Sequence, residues 1–256
     1  MGILLQQARI IDGKTESQPQ DILIREGRIA AIAPNIPVEA GMEVWTSTHL
    51  CVSPGWIDVG VQTGDPGFEH RENLQTVAQA AAKGGFTAIA PFPNTNPAIH
   101  SKSEILYIKN NTAHTGVHFY PIGAISQECA GKDLAELYDM HTAGAVAFSD
   151  GKKAVQDAGL LLRAMQYVRA FNGLVINEPH HKTIAGAGQM HEGAISTSLG
   201  LKGLAALAEE MMIQRDLSLL EYAEGRLHIH LVSTAKSVAL IRAANGRESI
   251  VPNEKL

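Results

Sequence analysis

The run Pro54-Gly55-Trp56-Ile57-Asp58-Val59-Gly60-Val61-Gln62-Thr63-Gly64-Asp65-Pro66-Gly67 decides how the rest of the chain reads. Trp56, Ile57, Val59 and Val61 form a nearly continuous apolar stretch. That pattern suits a strand buried on both faces, as in a parallel sheet. Gly64, Pro66 and Gly67 then stop the strand and start a loop.

Downstream, helices and strands alternate. In Glu72 to Lys83, Leu74, Val77, Ala78 and Ala81 fall on one helical face, and Gly84-Gly85 ends the helix. Phe86 to Pro91 reads as an apolar strand, and Ser101 to Asn111 as a helix capped by Ser101 or Ser103. Strands follow at Val117 to Ile122, Ala145 to Ser149, Leu174 to Ile176 and Leu227 to Val232. Helices lie between and after them: Asp133 to His141, a segment marked by Leu161, Ala164, Met165 and Val168, about Leu201 to Ala223, and Thr234 to Ala244. Six strand-then-helix units in series predict a parallel sheet with helices outside. A complete eight-unit barrel takes about 250 residues by itself. Six units fall short of that count, and Ser249-Ile250-Val251 is the candidate start of a seventh strand. Upstream, residues 1–53 alternate short apolar runs with the turn signals Asp12-Gly13 and Glu26-Gly27, which predicts a small β-domain.

Composition excludes several classes. At 256 residues and 45% hydrophobic content the chain is ordinary for a globular protein. A formal net charge of −5 gives no electrostatic footprint for nucleic acid. No apolar run reaches the roughly 18 residues of a membrane span, and Met1 to Arg9 lacks the layout of a secretory signal. Cys51 and Cys129 form no metal-type spacing and read as buried free thiols, which points to a cytoplasmic protein.

The motifs carry a specific resemblance. The opening run resembles the first barrel strand of dihydroorotases, in the cyclic amidohydrolase superfamily, which carry P-G-x-I-D-x-H-x-H-x-R-x-P-G here. In that family the two histidines bind metal and the arginine holds the substrate carboxylate. Here Gly60 and Gln62 stand in the histidine columns and Gly64 in the arginine column. Lys83-Gly84-Gly85-Phe86-Thr87 is similar to A-G-G-F-T, and Phe92-Pro93-Asn94-Thr95-Asn96-Pro97 to M-P-N-T-x-P. Gln189 to Gly193 and Ser196 to Leu201 are similar to M-x-E-G-x-x-S-x-x-L-G. The resemblance implies an α/β, TIM-barrel-like (β/α)₈ amidohydrolase fold over 54–256, incomplete at its C-terminal end, with residues 1–53 as part of a β-sandwich completed from the C-terminus.

Its implications for the site are mixed. Asn94 matches a substrate-contacting asparagine, although an Asn-Thr-Asn-Pro turn needs no substrate to explain it. Asp150, in Phe148-Ser149-Asp150-Gly151, matches a metal-bridging aspartate, or is simply a cap. The strand-five metal histidine falls at Asn177 or Glu178, with His180 and His181 either further ligands or a solvated pair. His230 is taken as the strand-six metal histidine, and His228 shares its strand face. Opening a cyclic amide needs a polarised carbonyl and a nucleophile near neutral pH, which zinc supplies by lowering the pKa of bound water to about 7. A catalytic zinc usually has three protein ligands. With Asp150 and His230 retained, and Glu178 and His180 or His181 the other candidates, the expectation is a non-catalytic homologue. It would act as a scaffold or partner, for example of aspartate transcarbamoylase, and form a homo-oligomer as relatives do. The alternative is an active zinc enzyme opening dihydroorotate through a rebuilt site. Neither reading involves nucleic acid or a membrane.

Overall fold

The computed structural model describes residues 2–13 and 15–245, so the expected strand at Ser249-Ile250-Val251 lies outside the described residues. Internal packing divides the chain into two units, Met1–Trp56 and Ile57–Leu256.

The first unit is a five-stranded sheet. β1 (Gly2–Ile10), β2 (Gln20–Arg25), β3 (Arg28–Ala33) and β4 (Glu43–Thr46) lie in the order β3-β2-β1-β4, and β5 (Cys51–Val52) also pairs with β1. The β1–β2 and β2–β3 pairs are antiparallel, and β1 pairs in parallel with β4 and β5. The β1–β2 register shifts between Leu5 and Ala8, where Gln7 takes a φ of +54°. Such a bulge frees a ladder N–H. The buried Asp21 accepts that Gln7 N–H at 2.9 Å and the Ile36 N–H at 2.9 Å. Cys51 is exposed, which corrects the expectation of burial, while Cys129 is buried. β5 is a short strand with little covering it, so apolar character alone did not hide its first residue.

The second unit is an α/β unit of barrel type. Its strand and helix series runs β6 (Trp56–Val61), α1 (Leu74–Lys83), β7 (Phe86–Pro91), α2 (Lys102–Thr112), β8 (His118–Phe119), β9 (Ile122–Gly123), α3 (Leu137–Ala143), β10 (Ala147–Phe148), α4 (Ala158–Arg169) and β11 (Val175–Asn177). An excursion follows: α5 (Lys182–Ala185), β12 (Met190–His191), α6 (Ala194–Ser198) and β13 (Gly203–Leu204). The series resumes with α7 (Leu207–Ala223), β14 (Leu227–Ile229) and α8 (Ala235–Asn245). The strands form the orders β6-β7-β8 and β14-β11-β10-β9, and β12 pairs with β13. Sequence-consecutive parallel neighbours with intervening helices are the barrel arrangement.

The expected strand Val117 to Ile122 is split into β8 and β9 because Pro121 has no N–H to donate. The path nevertheless continues, since Tyr120 N donates to the Ile89 carbonyl and Pro121 O accepts from Val146 N. The expected helix Asp133 to His141 starts only at Leu137. Residues 127–135 instead form a 3₁₀ turn and loop, in which Glu128 and Cys129 have positive φ. The expected helix from Leu201 starts at Leu207, because Gly203–Leu204 pairs with β12. Ser101 caps α2 through a capping box with Glu104, and Asn73 caps α1.

Two apolar layers hold the unit together. Ile89, Phe148, Val175 and Leu227 point out of the strands to meet helix residues such as Ile105 and Leu161. Ala90, Phe92, Ile122, Ala147 and Ile176, with Val59 and Leu174 against them, fill the inside of the strands. The period of two along β7, β10 and β11 sorts residues between these layers. In β6 it breaks at Gly60, and Trp56 and Ile57 are 59% and 45% exposed, which corrects the expectation of a strand buried on both faces. That lumen layer positions the site.

Candidate functional site

Catalytic groups of such a barrel sit where the strands end. Three strand ends converge here on Gly60, Phe92 and His230. Phe92 follows β7 and its N–H donates to the Val61 carbonyl at 3.0 Å, while His230 follows β14 and its N–H donates to the Asn177 carbonyl at 3.0 Å. The Phe92 and His230 rings meet edge to face, with centroids 5.2 Å apart and planes at 88°. A Cβ added to Gly60 would stand 2.8 Å from Phe92 Cε2 and 3.2 Å from His230 Nε2. Gly60 also has a φ of +95°, where an L-residue is strained. The first histidine column of the motif is therefore empty of side chain and flanked by an aromatic ring.

The second column holds Gln62, a neutral amide. Gln62 lines a cleft of about 260 Å³ between β6 and α1, together with Asp58, Glu72, Val77 and Ala80. Gly64, in the arginine column, has a φ of +67°, and a Cβ there would lie 2.7 Å from the Glu72 carbonyl oxygen. The loop that follows is tied internally. Asp65 accepts the Tyr107 hydroxyl at 2.8 Å and the Leu74 N–H at 3.3 Å, and the first of these bonds raises the Tyr107 pKa.

The remaining candidates are largely committed to the fold. Asn94 donates through Nδ2 to the Asp150 carbonyl at 2.9 Å and accepts the Lys152 N–H at 3.0 Å through Oδ1. Both ends of its amide hold the loop after β10. Asp150 is buried, and its two carboxylate oxygens accept the Ser126 N–H and the Ser126 hydroxyl. Burial raises its pKa, and the Ser126 bonds oppose the rise. Asp150 thus binds the loop after β9, and Ser126, which no motif indicated, is its partner. Asp150→Ala strands a buried N–H and hydroxyl at Ser126 and is expected to cost about 2–3 kcal/mol. Its metal content is expected to be unchanged, as read by thermal melting beside elemental analysis.

The two candidate positions at the end of β11 face different ways. Asn177 points outward: it donates to Asp216 on α7 at 2.7 Å and accepts the Val155 N–H at 3.1 Å. Glu178 is next in line and, by alternation, shares the face of Ile176 in the lumen. It is half-buried, and that burial raises its pKa against the opposing charges of His180 and Lys152. His181 engages Thr183 Oγ1 through Nδ1 at 3.2 Å, and His180 contributes backbone bonds to the same loop.

At β14, His228 lies in the strand and His230 just after it, with ring centroids 6.1 Å apart. Burial lowers the His230 pKa, His228 lowers it further, and Asp58 opposes both. Burial and His228 thus favour the neutral ring, the form that can ligate a metal. Counted residue by residue, H-[ILV]-x-H-[VI]-S-T places its second histidine at Leu231, one position beyond His230. Leu231 is 66% exposed at a φ of +59°. Among the described residues no three His, Cys, Asp or Glu side chains are grouped to hold a metal ion. The donor set does not fit the zinc centre that the motifs imply: one ligand column is backbone only, one carries the weak neutral donor of a glutamine amide, and the aspartate is bonded to Ser126.

Comparison with known proteins agrees with the motifs. The profile of the family described as dihydro-orotase-like matches residues 49–237. A dihydroorotase of Pelotomaculum thermopropionicum is 44% identical over 250 residues, 96% of this chain and 58% of that protein. One from Acetivibrio thermocellus is 40% identical over 247 residues, 96% of this chain and 58% of that protein. The chain thus spans a little over half the length of these curated relatives. Among solved structures, the L-hydantoinase (dihydropyrimidinase) of Arthrobacter aurescens superposes with a TM-score of 0.75 at 24% identity, covering 97% of this chain and 57% of that one. A dihydroorotase crystal structure gives 0.53 at 14% identity, covering 98% and 70%. At these identities the structural likeness speaks to the fold.

Proposed function

Starting from the fact that this chain belongs to the dihydro-orotase-like family, we propose that it is a non-catalytic member that keeps the barrel as a structural scaffold. The observation that carries this reading is the commitment of Asp150 to Ser126, beside a Gly60 column that holds no side chain. Zinc chemistry on a cyclic amide needs about three protein ligands around an open position. Glu178 and His230 alone do not make that set. In this reading the protein works by association, and an aspartate transcarbamoylase of the pyrimidine route is the partner proposed.

A second reading rests on the relatives, which carry the name dihydroorotase at 36–44% identity. In it the chain contributes to a working hydrolase that opens dihydroorotate to N-carbamoyl-aspartate, with Glu178 and His230 among its zinc ligands. One experiment separates the two. Protein made with zinc offered during expression and purified without chelators is analysed for metal and assayed for dihydroorotate opening. The scaffold reading expects metal well below one equivalent per chain and no ring opening. Metal near one or two equivalents that falls on His230→Ala, together with turnover, would establish the hydrolase instead.

A further inference from the structure

We propose that Phe92 closes the family's metal position in this chain, and that Phe92 and Gly60 are a sterically coupled pair. The proposal deepens the non-catalytic reading and rests on it. Loss of a ligand is one change; filling the space beside it is another, and the two fit each other here. Phe92 is 3% exposed and belongs to the lumen layer with Ala90, Ile122, Ala147 and Ile176. Its ring edge stands where the first atom of any side chain at position 60 would go, 2.8 Å from the ideal Cβ. Real Cβ contacts do not come that close, so a residue at 60 must displace the ring or the strand. The ring is backed by buried neighbours and packed against His230, so it has little room to yield. The aligned motif carries Met rather than Phe at this position. Methionine is unbranched and adaptable, whereas a phenyl ring is rigid.

The consequence is that restoring histidines at 60 and 62 does not rebuild a metal centre. His230 remains covered on one side by Phe92. Ligand loss in this lumen is fixed by packing and is not reversible one residue at a time.

The test is a double-mutant cycle on the full chain, with metal content read in parallel. Gly60→Ala is compared in the native background and in a Phe92→Leu background, chosen because a smaller apolar residue keeps the lumen layer intact. The backbone strain at Gly60 is common to both arms and cancels. Gly60→Ala is expected to lower the melting temperature by at least about 3 °C more in the native background than in the Phe92→Leu background. Equal shifts in the two arms would overturn the coupling. In the second measurement, the Gly60→His, Gln62→His variant with Phe92 retained is offered zinc and is expected to hold no more than the unaltered chain. Zinc near one equivalent in that variant alone would also overturn the proposal. Zinc in the unaltered chain would count against the scaffold reading instead, and leaves the cycle to be judged by its own shifts.

Discussion

Replacing Asp216 by alanine is expected to remove about 3 kcal/mol of folding stability, the low end of the range for breaking a buried ion pair. Asp216 sits on α7 with no exposed surface. Its Oδ1 accepts Arg215 Nε at 2.8 Å, and its Oδ2 accepts Asn177 Nδ2 at 2.7 Å. Arg215 continues the network to the carbonyls of Val155 and Gln156, both at 2.8 Å. One carboxylate thereby joins β11, α7 and the loop leading into α4. Burial raises its pKa, and Arg215 and Asn177 oppose the rise. The alanine variant leaves the Asn177 amide without its acceptor and Arg215 without its counter-charge. Because the Arg215 side chain keeps 21% exposure and two carbonyl partners, the loss sits at the lower end of the range. Asp216→Asn keeps an acceptor, removes the buried charge, and is expected to lose less than half as much. Denaturant midpoints measure both. A loss below about 1 kcal/mol for alanine would show that the network is not a stabilising junction.

Glu209→Gln is expected to cost about 2–3 kcal/mol at neutral pH, through hydrogen bonds that its charge strengthens. Glu209 lies in the first turn of α7 and faces the start of α8. Its carboxylate accepts the Ser233 N–H at 3.0 Å, the Thr234 N–H at 3.0 Å and the Ser233 hydroxyl. Burial alone would raise its pKa; bonds from Ser233, Ser237 and the two backbone amides outweigh burial and lower it. The sign follows from that direction. A carboxylate whose folded pKa lies below its unfolded value stabilises the fold fully above the unfolded value. That contribution disappears as the pH falls through the folded one. The gap between the native chain and Glu209→Gln should therefore be full at neutral pH and close below the ordinary glutamate range. A gap that stayed constant into acid would contradict the charge-based account. Hydrogen exchange at Ser233 and Thr234 should accelerate in the variant.

The barrel series was legible because its signal is repetitive. Leu74, Val77 and Ala78 mark a helix face, and Phe86 to Pro91 marks a strand, by local periodicity that tertiary packing did not contradict. Boundaries were less legible where one residue outweighs a pattern. Pro121 interrupts a strand, and pairing between β12 and β13 shortens a helical pattern that began at Leu201. Two fold-defining carboxylates were also within reach. Glu209 and Asp216 share the buried stripe of Met212, Ile213 and Leu220 on α7, and a charge on an apolar stripe signals a partner. Their partners lie at Asn177 on β11 and at Ser233 and Thr234, and no spacing rule links those segments.

The amino-acid sequence by itself determined the family, the alternation of strands and helices outside the excursion from α5 to β13, and the replacement of both first-strand histidines by Gly60 and Gln62. These are matters of identity and local period, which travel with the chain. Tertiary structure alone decided which candidates face the lumen. It turned Asn177 outward and left Glu178 inward, bonded Asp150 to Ser126, spent both ends of the Asn94 amide on the Asp150–Lys152 loop, and set Phe92 beside Gly60 and His230. The physical reason is that a side chain's availability depends on what distant segments offer it. Ser126 lies 24 residues from Asp150, and Phe92 lies 32 from Gly60. Only the folded barrel brings such pairs within bonding or clashing distance.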